Sequence, residues 1–113
     1  MIKVFYLMTA EYVIGTAWPF ESDKDVDIVR IQYPARVSLI QQGAENAFHL
    51  TPMLAPFLKD FRRMMECFPL KESLIVLEDF PADDLLGVYG KFEANMKRQF
   101  SGLILPKDGI AKP

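Results

Sequence analysis

The opening run, from Met1 to Thr16, constrains the fold more than any other stretch. Val4, Tyr6 and Met8 alternate with Phe5 and Leu7, Thr9-Ala10-Glu11 interrupts, and Tyr12-Val13-Ile14-Gly15 resumes. Two runs of β-branched and aromatic residues around a tight break predict an antiparallel hairpin, with strands over about 2–8 and 12–20. A chain that starts this way must extend its sheet or cover it, because a lone hairpin is not stable in water.

Both follow. After the charged turn Glu21-Ser22-Asp23-Lys24-Asp25, Val26, Ile28 and Ile31 predict a strand over about 26–33. Pro34 must bend or break it, since proline cannot donate to a ladder, and Val37 and Leu39 continue in extended form over about 36–41. One long curved strand, or two meeting at a corner, satisfies this pattern. Gln42-Gly43-Ala44-Glu45-Asn46 reverses the chain into a strand over about 47–53. Pro69 argues against a helix through Met64-Met65-Glu66-Cys67-Phe68, so a strand is expected over about 62–69. Leu74-Ile75-Val76-Leu77 predicts a last, continuously apolar strand over about 74–79.

Phe80-Pro81-Ala82-Asp83-Asp84 announces a helix over about 82–98. Proline belongs at a first turn, paired aspartates complement the positive end of the macrodipole, and Leu85, Tyr89, Phe92 and Met96 fall at helical spacing. Residues 101–113, with Gly102, Pro106, Gly109 and Pro113, are expected to form a loosely ordered tail. The fold class is therefore mostly β: a strongly bent five- to six-stranded antiparallel sheet or small open barrel, with one C-terminal helix, in a single domain over about 1–100.

The composition narrows the function. With 13 basic and 15 acidic side chains in 113 residues, the net charge of −2 disfavours a surface that grips a polyanion over its whole extent, though not a local basic patch. Cys67 is the only cysteine and His49 the only histidine, so no intrachain disulfide and no cysteine-based metal framework is expected, and no cofactor. The first residues lack the shape of a signal peptide and no apolar run reaches membrane-spanning length; a reducing, cytoplasmic setting without a membrane partner is expected. Catalysis has little behind it. Asp83-Asp84 sits where helix-capping carboxylates belong, His49 has no motif partner, Cys67 reads as a core residue, and no glycine-rich phosphate loop is present, so no enzyme is expected.

Three segments carry a family likeness: Leu7-Met8-Thr9-Ala10-Glu11-Tyr12-Val13-Ile14-Gly15, Tyr33-Pro34-Ala35-Arg36-Val37, and Phe80-Pro81-Ala82-Asp83-Asp84-Leu85-Leu86 with Tyr89. With a hairpin, bent antiparallel strands and a closing short strand, the chain resembles the Sm/LSm proteins, and in particular the small Sm-like proteins of marine T4-like cyanophages. Where Ala10 stands that family usually has glycine. Its Asp-x-x-x-Asn element has no counterpart near 20–28, its Arg-Gly step is replaced by Pro69-Leu70-Lys71, and its helix lies at the other end.

The resemblance implies a homo-oligomeric ring, of roughly five to seven subunits, that binds RNA or single-stranded DNA in nucleic-acid processing or regulation within an infected host cell. Tyr33, Arg36, His49, Arg62, Arg63 and Lys71 are the candidate nucleic-acid contacts, cations for phosphate and rings for stacking, with Lys59 and Phe57 beside them. The ring contact implied pairs Met64, Cys67 and Phe68 of one subunit with Leu74, Ile75, Val76 and Leu77 of the next. The missing elements and the slightly acidic balance favour a second reading, a phage-encoded interaction or assembly module that keeps the ring without binding nucleic acid. A monomeric OB-like barrel is a third.

Overall fold

A computed structural model of the chain describes residues 1–17 and 27–104. The expected hairpin is present as β1 (Ile2–Leu7) and β2 (Tyr12–Ala17). Its loop is tight: the Ala10 N–H donates to the Leu7 carbonyl and the Leu7 N–H to the Glu11 carbonyl, both at 2.9 Å. Ala10 closes it at φ 66°, left-handed backbone that costs a residue with a Cβ about 1–2 kcal/mol. Ala10→Gly should therefore raise stability by about 0.5–1 kcal/mol, net of the entropy glycine loses, seen as a higher urea midpoint at unchanged slope.

Pro34 bends its strand without ending it. β3 (Ile28–Gln42) runs through as one element and pairs with three others. Ile14 lies opposite Ala35 and Thr16 opposite Gln32, so β3 carries one extra residue there, a β-bulge at Tyr33-Pro34. Tyr33 adopts φ 50°. An ideal Cβ on Gly15 would stand 3.3 Å from the Gln32 carbonyl oxygen, which explains a glycine across from the bulge. The extra residue inverts the alternation of β3: Ile31 faces one cluster of apolar side chains, Ala35 the other.

β4 (Glu45–Pro52) returns along β3 in eight unbroken pairs. The strand expected over 62–69 is instead a helix, α1 (Phe61–Glu66), followed by β5 (Phe68–Lys71). Phe61 and Met65 stand one turn apart and face inward, while Arg62, Arg63 and Glu66 face out, a helical and not an alternating period. Pro69 does not forbid it, because the helix ends at Glu66 and the proline lies in β5. A 3-10 turn (Glu72–Leu74) leads into β6 (Ile75–Asp79), and α2 (Asp83–Ile104) follows, running past the expected end near residue 98. The end of the expected second strand, the turn at 21–25, Val26 and tail residues 105–113 lie outside the described residues.

The antiparallel sheet has six strands in the order β4-β3-β2-β1-β6, with β5 also on β3. β5 and β6 thus lie far apart along the path of paired strands, yet only three residues join them. Those span at most about 14 Å, so the sheet must roll. It stays open, as no ladder joins β5 to β6 among the described residues. Inside the roll Phe5, Leu7, Val13, Ile31 and Leu70 form one core. On the other face Ile14, Tyr33 and Ala35 pack with Met65 of α1 and with Leu85, Tyr89, Met96 and Phe100 of α2. No helix among the described residues is long and apolar enough to cross a membrane.

Candidate interaction surface

The candidate cations do not converge on one face as free charges. Arg36, on β3, pairs with Glu11 of the hairpin loop at 2.9 Å, and a groove of about 220 Å³ lies beside the pair, lined also by Ala10, Tyr12, Val37 and Ser38. Arg62 pairs with Glu66 at 3.8 Å and lies 5.9 Å from the centre of the Phe100 ring. Arg63 pairs with Asp60 at 3.2 Å. Lys71 is exposed at the end of β5, and Lys59 is exposed ahead of α1. His49 is exposed on β4, opposite Ser38 and diagonal to Arg36.

Tyr33 is 6% exposed, between the Phe100 ring at 6.1 Å and the Lys97 ammonium at 5.7 Å. Such burial leaves it no face for a base. Its role is architectural, in the bulge held by Tyr89. That hydroxyl shares its single proton between the carbonyls of Gln32 at 3.0 Å and Tyr33 at 3.1 Å, and lies 3.3 Å from the Thr16 hydroxyl. Thr16 in turn donates to the Glu93 carboxylate at 3.0 Å. Burial pushes the Tyr89 phenol well above its ordinary range.

The seven interface candidates divide. Met64 lies on α1, Cys67 is half-buried at the end of that helix, and Phe68 and Ile75 pack against the core inside the roll. Leu74, Val76 and Leu77 are exposed, Val76 and Leu77 at 55% and 54%. Around them lie exposed residues that sequence reasoning did not single out. The Met8 N–H donates to the Leu74 carbonyl at 2.8 Å, so these two side chains begin side by side. Leu77 lies opposite Tyr6, whose ring centre is 4.7 Å from that of Tyr12. Phe80 follows β6, with the Lys3 ammonium 5.9 Å from its ring centre and paired to Glu78 at 2.9 Å. Met8, Tyr12 and Phe80 are all exposed. One available signal was the even phase of the hairpin, which sets Tyr6 and Tyr12 on one face of the sheet as cross-strand neighbours.

Leu77, Tyr6 and Tyr12 thus form a row across β6 and the hairpin on the sheet face that carries Val4, with Leu74 and Met8 paired at its end, while Phe80 lies with Lys3 and Glu78 on the face of Phe5. Exposed patches of this kind mark contact sites. Among the described residues no group of three His, Cys, Asp or Glu side chains is placed to hold a metal ion. The chain matches no protein-family model and no curated protein.

Proposed function

We propose that the chain is an assembly module that self-associates through the apolar surface on β6 and the β1–β2 hairpin. The exposure of Leu74, Val76 and Leu77 beside Met8 and Tyr12 carries this reading. It departs in mechanism from ring closure by strand addition at β6. That strand is short, bulged at Val76 between Leu77 and Ile75, and ends in Glu78-Asp79, the devices by which an edge discourages an added strand. Contact through side chains fits it better.

RNA or single-stranded DNA as the ligand of an Sm-like ring is the competing reading. The strand order and the exposed Lys59, Lys71 and Arg63 speak for it. Against it, a phosphate must displace a carboxylate already seated on Arg36, Arg62 and Arg63.

The double substitution Val76→Lys and Leu77→Lys tests the proposal. Both side chains are exposed, so stability should change little, while two cations at the patch should oppose association. Light scattering behind size exclusion should show a species with fewer subunits than the parent. An unchanged mass contradicts the assignment of this surface.

A further inference from the structure

From the reading that the chain self-associates, we infer a second contact between copies: β4 pairs with β4 of another copy, antiparallel across a two-fold axis centred on His49. Among the described residues no strand pairs with the outer edge of β4. Along its middle that edge lacks the guards seen at β6; Glu45 and Pro52 stand only at its two ends. It makes eight pairs with β3 without a register shift, and from Asn46 to Thr51 it holds no lysine, arginine, aspartate, glutamate or proline. A long, regular, uncharged edge is a template for another strand.

With a second copy as the partner, following from the self-association proposed above, symmetry limits the register. A two-fold axis perpendicular to the sheet leaves every side chain on its own face, so opposed residues must share a face. The axis therefore passes through a residue and never between two. Full overlap of Glu45–Pro52 is excluded by this rule, since its centre falls between Phe48 and His49, and those two residues are the nearest allowed centres. An axis on Phe48 sets Leu50 opposite the partner's Asn46. An axis on His49 sets Phe48 opposite the partner's Leu50 and Ala47 opposite the partner's Thr51. Phe48 and Leu50 are half-buried against the outer core, and Leu39, opposite Phe48 on β3, is 61% exposed. Centred on His49, the pairing makes one apolar row of Leu39, Phe48, the partner's Leu50 and the partner's Val37 on the face that α2 covers in part. No charges of like sign meet along it. With the β6 surface as a second two-fold contact, the simplest closed assembly is a tetramer built as a dimer of dimers.

Cysteine crosslinking reads the register directly. Only the residue on the axis lies opposite its own copy, with Cα atoms about 4.5–5.5 Å apart, within reach of a disulfide. Single cysteines at 47, 48, 49, 50 and 51 in full-length protein carrying Cys67→Ser, under mild oxidation, should crosslink most efficiently as His49→Cys. A maximum elsewhere, or no crosslink at any of the five, overturns the pairing. In the Val76→Lys/Leu77→Lys background the expected species is a β4-linked dimer, and adding His49→Lys should raise its dissociation constant about tenfold or more by opposing two ammonium groups. Parent protein that self-associates but gives no His49→Cys crosslink contradicts the β4 contact alone. A parent that is monomeric contradicts both contacts.

Discussion

Tyr89→Ala should cost about 4 kcal/mol and lower the melting temperature by roughly 15 °C, while Tyr89→Phe should cost about 1–2 kcal/mol. The difference between the two separates packing from hydrogen bonding. Tyr89 is fully buried in the outer core, beside Phe92 with ring centres 6.0 Å apart, so truncation to alanine empties a ring-sized volume. Phenylalanine keeps the ring and removes only the hydroxyl that serves the Gln32 and Tyr33 carbonyls. Those carbonyls belong to the bulge, where Tyr33 holds a left-handed conformation that β-sheet pairing does not itself favour. The hydroxyl therefore connects helix to sheet at the point where β3 changes face.

The same group has a pH signature. A folded-state phenol raised above its unfolded value of about 10 keeps its proton where the unfolded chain releases one. Its contribution is intact below about pH 10 and is lost as pH climbs from there toward the raised value. The alkaline loss should be smaller in Tyr89→Phe than in the parent. Chemical denaturation between pH 8 and pH 11 measures it, and equal slopes contradict the assignment.

Phe5→Ala is the second large effect, about 3–5 kcal/mol, because Phe5 is fully buried inside the roll with Leu7, Val13, Ile31 and Leu70. Phe57→Ala is its control. At 87% exposure that ring should change stability by less than about 0.5 kcal/mol. Two cores share one sheet, so Phe5→Ala and Tyr89→Ala should each move the whole urea transition at unchanged slope. A biphasic transition in either variant contradicts that coupling.

Elements with long or punctuated patterns were legible in the sequence. The hairpin, the bend at Pro34 and the stripe of α2 each rest on several residues that agree. α1 was not legible, because six residues hold less than two turns of periodicity and the nearby Pro69 pointed the other way. Leu74-Ile75-Val76-Leu77 shows a different limit. A continuous apolar run announces a strand but not its surroundings, and only Ile75 packs inward while Val76 and Leu77 lie on the surface. Sequence spacing likewise put Tyr89 on the buried stripe without revealing the bulge its hydroxyl serves. The candidate cations were identifiable as charges; their carboxylate partners Glu11 and Asp60 became evident only from the fold.

Self-association is the central claim, and the solution mass of the parent protein tests it most directly. Light scattering behind size exclusion, over a range of protein concentration and salt and with the 260/280 nm absorbance ratio recorded, should give a multiple of the 12.9 kDa chain mass and the ratio of protein alone. A mass of 12.9 kDa at every concentration contradicts assembly through either surface. An oligomer that carries nucleic acid contradicts the choice of assembly over nucleic-acid binding.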